Sequence, residues 1–344
     1  MRQVRPFPFQ VSGTCRLWPQ CRQILSLIGC MALVGCGLLR EDPGFDNLKV
    51  SAAGCASIGE SPLVFWASVT HGRLSATSDR RDFETSTPIN LIFPVAVAAY
   101  ANELFIADSG HRAVLRFDQA LDTLTVFTKL DVDLSAMDLY LDDDLSLYVV
   151  DARNAQVLRF DENGRILQRF QNSANLAHPV AVVTDRARAQ VLVADRLYAQ
   201  VLKFNQLGTL TGAISVAPGG AQFDTTVAMA RRGDELYVVD QQAHRVHVIG
   251  LDRAFQSYFG TADLKRPVAV AADRYGRILV ADDADNAIKV FSEDELEVTV
   301  GPRAPAGRFA FAQVSDLWVD EDFLYVADAV NSTVQVFQIL SPCR

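Results

Sequence analysis

Residues 278–291, ILVADDADNAIKVF, hold an apolar run that ends in Asp282, a short polar loop and a second apolar run. The arrangement recurs as FIADSGHRAVLRF from Phe105, LYVVDARNAQVLRF from Leu147, VLVADRLYAQVLKF from Val191, LYVVDQQAHRVHVIG from Leu236 and LYVADAVNSTVQVF from Leu324. The aspartates Asp108, Asp151, Asp195, Asp240, Asp282 and Asp328 follow one another at intervals of 42 to 46 residues. A repeat of that length has room for about four short strands, the pattern of propeller blades. The expected fold is all-β: one six-bladed propeller of four-stranded blades that absorbs most of the 344 residues.

Each repeat opens on a short apolar run: PVAVAA at Pro94, PVAVVT at Pro179 and PVAVAA at Pro267, with degenerate forms AMDLYL at Ala136, TVAMAR at Thr226 and VSDLWV at Val314. Nearly unbroken apolar character fits a strand buried on both faces. Alanine alternating with valine fits inner strands crowding around an axis. The sixth repeat stops after its third strand, so its outer strand must come from the other end of the chain. Either Leu63–Val69 or residues 73–76 is expected to supply it and remove the exposed edge.

The first 35 residues stand apart. Arg2, Arg5, Arg16 and Arg22 precede an apolar run from Ile24 to Gly35, too short to span a bilayer but suited to a signal-peptide core. The run closes on Leu33-Val34-Gly35-Cys36, which resembles the bacterial lipoprotein lipobox. The resemblance implies cleavage before Cys36 and acylation of that cysteine. It also implies an anchor in the bacterial cell envelope, at the outer membrane facing the periplasm because Gly37 and Leu38 lack the Asp of inner-membrane retention. The expected organisation is a signal peptide over 1–35, a lipidated tether over 36–60 and a propeller over 61–344.

Maturation changes two tallies. The chain carries a net charge of −9, and losing four arginines and no acid takes it to −13. Such acidity excludes phosphate-backbone binding as the main role, so no nucleic-acid partner is expected. Of six cysteines, Cys15, Cys21 and Cys30 leave with the signal and Cys36 is acylated. Cys55 and Cys343 remain, and an even pair in an oxidising compartment reads as a disulfide, the alternative being two free buried thiols.

Pro-x-x-Val-Ala, a turn, Leu-Tyr-Val-Ala-Asp, then Asn or His, then Val-x-Val-Phe resembles the NHL repeat of six-bladed propellers over residues 91–338, best in 267–291 and 91–117. NHL propellers host binding modules, amidating lyases and hydrolase-like relatives, so the resemblance speaks for the fold more than for a function. The amidating lyases hold a zinc on the axis with several histidines, and His111, His178 and His244 are the residues here that the resemblance would place in that role.

The six repeated aspartates should cap strand ends by accepting backbone amides of the following loop. Function belongs where the copies differ, in the loops before each inner strand and between the second and third strands, which open on one face. His111, His178, His244, Arg112, Arg153, Arg196, Arg245 and Arg266 lie there. Within the inner strands, Asp138 and Asp316 replace the alanine of Ala96, Ala181, Ala228 and Ala269. They read either as bonds to neighbouring backbone or as ligands for a cation or polar group. His247 alternates with Val246 and Val248 and reads as a blade-surface residue. Asp142-Asp143-Asp144 reads as a solvated turn, and Asp282–Asn286 only faintly resembles a calcium loop, lacking its Gly and distant Glu. No phosphate-cradling Gly loop, Gly-x-Ser-x-Gly elbow or Cys–His pair appears.

The functional expectation is a monomeric, lipid-anchored binding or assembly module without a cofactor. Its partners would be the lipid bilayer through acylated Cys36, and an envelope protein, peptide or acidic polysaccharide on the loop face. The alternative is a metal-dependent lyase or lactonase-like hydrolase, with a divalent cation in the axial channel near Asp138, Asp316 and His178.

Overall fold

The computed structural model describes residues 55–56, 61–74, 88–100, 103–118, 123–129, 138–214, 223–251, 257–301 and 311–343. The expected signal peptide, Cys36 and nearly all of the tether lie outside the described residues. So do residues 75 and 76 of one candidate closing strand.

Six four-stranded units form the ring, each running from the axis outward. Blade 1 holds β4 (Pro94–Tyr100), β5 (Glu103–Asp108), β6 (Ala113–Asp118) and β7 (Thr123–Lys129). Blade 2 holds β8 (Leu139–Leu141), β9 (Leu147–Asp151), β10 (Gln156–Phe160) and β11 (Ile166–Gln171). Blade 3 follows with β12 (Pro179–Asp185), β13 (Gln190–Asp195), β14 (Gln200–Asn205) and β15 (Leu210–Ile214). Blade 4 comprises β16 (Thr226–Arg232), β17 (Glu235–Asp240), β18 (Arg245–Gly250) and β19 (Ser257–Phe259). Blade 5 comprises β20 (Pro267–Ala272), β21 (Ile278–Asp282), β22 (Ala287–Ser292) and β23 (Glu295–Val300). Blade 6 takes β24 (Val314–Asp320), β25 (Phe323–Asp328) and β26 (Thr333–Ile339) from the end of the chain. The inner strands pack side by side around the axis, with β24 against β4 closing the circle.

The closing strand is β1 (Leu63–Val69), antiparallel to β26 from Leu63 opposite Ile339 to Val69 opposite Val334. Of the two candidates this is the one that completes blade 6. The other, β2 (His71–Leu74), lies parallel to β7 and with β3 (Pro88–Asn90) widens blade 1 instead. Past β26 the chain bridges Ala56 and Pro342, and Cys55 is disulfide-bonded to Cys343, their Cα atoms 5.0 Å apart.

Among the described residues there is no single central core. Six apolar clusters sit one at each blade interface: that of blades 1 and 2 joins Ala96 and Phe105 to Leu147 and Leu158, and that of blades 2 and 3 joins Tyr148 and Val150 to Val182 and Val193. Each sheet is sandwiched between two neighbours, which explains why the second strands are buried along almost their whole length. It also corrects the expectation for His247, which is fully buried because both faces of a blade are interior. His247 Nε2 lies 3.3 Å from Asp240 Oδ2, at the position that Leu115, Leu158 and Leu202 hold in blades 1 to 3.

The repeated aspartates do more than cap the following loop. Asp108 accepts the amide of His111 three residues on, and also those of Ile92 and Phe93 in the loop that feeds the inner strand. Asp195, Asp240, Asp282 and Asp328 repeat this with Ala177 and His178, Asp224 and Thr225, Lys265 and Arg266, and Ala312 and Gln313. Each buried carboxylate thus ties the two loops of its blade together, and unsatisfied it would cost on the order of 1–3 kcal/mol. Backbone bonds such as Arg196 N to His178 O and Gln241 N to Thr225 O join the same loops, so both kinds lie on one face.

Asp142 departs from the solvated-turn reading. It is buried, holds the Asp143 amide and accepts from Thr184 Oγ1, while Arg186 of blade 3 pairs with Asp142, Asp143 and Asp144.

Candidate functional site

The site is a cavity of about 130 Å³ on the propeller axis, walled by the inner strands of blades 2 to 6. Asp138 and Asp316 face it from blades 2 and 6. Valine, alanine, leucine and Met229 supply most of the remaining wall, and Tyr140, Arg231 and Trp318 complete it.

The two carboxylates are positioned by the same local geometry. In the inner strands of blades 1, 3, 4, 5 and 6 the first residue pairs with the capping aspartate and one residue bulges out. The alanine position then pairs with the residue before that aspartate. An Asp at that position reaches its own next amide and that of the following blade. Asp316 Oδ1 accepts from Leu317 at 2.8 Å, and its Oδ2 accepts from Val97 of blade 1 at 2.9 Å. Asp138 Oδ2 accepts from Val182 of blade 3 at 2.9 Å, and the carboxylate also takes the amide of Leu139.

Both carboxyls keep some accessible surface because they face the cavity, yet protein encloses them. Burial pushes the Asp138 carboxyl up to about 7, against the pull of its two amide bonds. Burial raises Asp316 well above the ordinary carboxylate range, and the charge on Asp138 adds to it. Two like charges facing one small cavity disfavour double ionisation, so the pair holds a proton near neutrality.

Further along the strands, the rings of Tyr140 and Trp318 meet edge to face with centroids 5.3 Å apart, and Trp318 Nε1 donates to Ala99 O at 2.6 Å. Arg231 Nη1 donates to Gly233 O at 2.6 Å and stands 3.9 Å from Asp185 Oδ1. Burial raises the Tyr140 phenol, while bonds to Thr184 and Arg231 oppose the shift. The sequence reading missed these three. They stand out once inner strands are aligned beyond the Asp position, where Tyr140 and Trp318 match Ala98, Ala230 and Ala271, and Arg231 matches Ala99 and Ala272.

The histidines and arginines singled out in the sequence do not line this cavity. His111 stands beside Asp108, its Nδ1 3.3 Å from Oδ2, and His178 lies half-buried in the loop before β12. His244 and Arg112 occupy one equivalent place, the last loop residue before the third strand, with φ of 54° and 52°. Arg112, Arg153 and Arg196 are exposed; Arg266 pairs with Asp283, and Arg245 stacks over Tyr258 at 4.9 Å. Lys265, Arg266 and Lys289 engage the acidic run at 282–285. Among the described residues no three His, Cys, Asp or Glu side chains gather as metal ligands, and no helix is long and apolar enough to cross a membrane.

The solved structures of similar shape include a virginiamycin B lyase from Staphylococcus aureus, at a TM-score of 0.57 and 10% identity over 72% of this chain and 94% of that one. A catalytically inactive form of the Staphylococcus aureus lyase with quinupristin gives 0.57 and 9% over 78% and 98%. A streptogramin B lyase gives 0.53 and 11% over 72% and 82%. The shared feature is the propeller fold. No protein-family model matches the chain, and no curated protein sequence matches it, so the NHL resemblance rests on the motifs quoted above.

Proposed function

We propose that this chain is an exported, lipid-anchored propeller of NHL type that serves as a binding module in the bacterial cell envelope, at the outer membrane. The observation that carries the reading is the position of the Cys55–Cys343 seam. Leu340, close to that seam, accepts from Arg277 at the inner-strand hairpin of blade 5, and Ile339 donates to Asp322 at that of blade 6. Those hairpins form the face opposite the loop face. A tether from acylated Cys36 would therefore enter on the far side and leave Arg112, Arg153 and Arg196 pointing away from the bilayer. A disulfide suits an oxidising compartment, in keeping with export. Exposed arginines on an acidic molecule favour an acidic partner, a polysaccharide or a peptide.

Retention of the full chain in detergent on immobilised hyaluronate and on poly-glutamate tests the loop face. Retention that falls with salt and disappears in Arg112→Ala/Arg153→Ala/Arg196→Ala, but survives Arg274→Ala on the opposite face, supports the reading. Equal retention of the triple variant and the parent sinks it.

A second reading, a lyase or lactonase-like hydrolase, draws on Asp138 and Asp316. A carboxyl with a pKa near neutrality is suited to general acid–base work, and the structural neighbours are virginiamycin B and streptogramin B lyases. A divalent cation that resists dialysis, lost together with Asp138→Asn, would favour it.

A further inference from the structure

The axial amides obey a pattern of three, and only two of its members are filled by the protein. Val97, Leu139, Val182 and Leu317 direct their N–H groups to the two axial carboxylates, two amides to each. An Asp on blade 2 serves blades 2 and 3, and an Asp on blade 6 serves blades 6 and 1. The same rule on blade 4 would serve Met229 and Val270, whose strands pair in the same register as β4 and β12. Both residues line the cavity, but the residue that would carry the carboxylate is Ala228.

We propose that the axial cavity binds a small zwitterion of amino-acid type. Its carboxylate takes the place of the missing third Asp on the Met229 and Val270 amides, and its ammonium sits between Asp138 and Asp316. Paired backbone amides at a concave site are an anion cradle. A lone anion there would face two carboxylates, whereas an ammonium adjoining the anion offsets them. Arg231 lies three residues beyond Ala228 and faces the same cavity, with its buried Nε lacking a protein acceptor, and adds positive charge on the blade 4 side. Tyr140 and Trp318 offer ring surface to the rest of the ligand. The volume of about 130 Å³ lies below the roughly 300 Å³ at which drug-sized sites begin, which suits a free amino acid better than a peptide. The inference goes beyond the loop-face reading by assigning a ligand to the channel, and it rests on that reading only in requiring capture without turnover.

Calorimetry of the full chain in detergent against each of the twenty free L-amino acids tests it. The expected result is saturable binding of at least one. The matching decarboxylated amine and the N-acetyl derivative should each bind at least ten-fold more weakly. Ala228→Asp, which supplies the third carboxylate from the protein, should lose the binding while its melting temperature stays equal or rises. Should that variant misfold, Ala228→Val blocks the same place without a charge and should also lose binding. No binding by any amino acid overturns the proposal, as does an amine that binds as well as its amino acid. Unchanged binding in both variants, or stoichiometric calcium or zinc that displaces the amino acid, also overturns it. Recovery of the ligand unchanged supports capture; its conversion would overturn the binding-module reading and leave the ligand class standing. Loss of polyanion retention in the preceding experiment leaves this result untouched.

Discussion

Asp138 and Asp316 do one job at two places in the ring. Each carboxylate accepts the amide that follows it and the equivalent amide of the next blade, so blade 2 is stitched to blade 3 and blade 6 to blade 1 at the axis. The stitch between blades 6 and 1 lies beside the interface where the first and last repeats meet.

The raised pKa of Asp138 sets a pH dependence with a definite sign. Below about pH 4 the folded and unfolded chains both hold its proton. Between about 4 and 7 the unfolded chain releases it while the folded chain keeps it, so this group costs stability as pH rises through that window. Hydrogen bonds hold Asp240 and Asp282 below the ordinary range despite burial, and they act oppositely, adding stability that is lost as pH falls through their folded pKa values. The difference between the parent and Asp138→Asn isolates the effect: in denaturant titrations from pH 4 to pH 8 the variant should gain relative stability with rising pH.

The disulfide spans 288 residues, and in the chain-entropy model such a loop contributes on the order of 5 kcal/mol. Cys55→Ser/Cys343→Ser should lower the urea midpoint without changing the far-ultraviolet circular dichroism of the folded chain.

Blade closure depends on β1. With Cys343→Ser to remove the thiol that loses Cys55, truncation to begin at Leu63 should leave a monomer, whereas truncation to begin at Thr70 uncovers the β26 edge and should yield dimers or aggregates by light scattering.

Lys289 is buried and pairs with buried Asp282 at 2.8 Å, in the place where blades 1 to 3 carry leucine. Either substitution at Lys289 removes the ion pair and leaves Asp282 to its backbone amides, as Asp108 and Asp195 already are, but Lys289→Ala also leaves a cavity between blades and should cost about 2–5 kcal/mol. Lys289→Leu restores the apolar filling of Leu115, Leu158 and Leu202 and should cost clearly less in the same unfolding assay.

The fold was legible because its signals repeat. The six aspartates, the Pro-Val-Ala-Val runs and the missing last strand all follow from one blade geometry copied around an axis, and Leu63–Val69 is where the strand count required it. His247 was misplaced because alternation along a strand assigns one face to solvent, which fails when both faces of a sheet are wedged between blades. Comparison with Leu115 and Leu158 carried the better signal. The site was legible only in part. Asp138 and Asp316 betray themselves by replacing alanine, but Arg231, Tyr140 and Trp318 needed the same comparison carried further along the strand. The loop histidines His111 and His244 drew notice for their chemistry, yet their positions are set by loop geometry common to all blades.

The most direct test of the account is the intact mass of the protein extracted from bacterial membranes. A mature chain that begins at Cys36, carries acyl groups on that residue and retains the Cys55–Cys343 bond is the predicted result. A chain that still begins at Met1, or an unacylated Cys36 in a freely soluble protein, would contradict it.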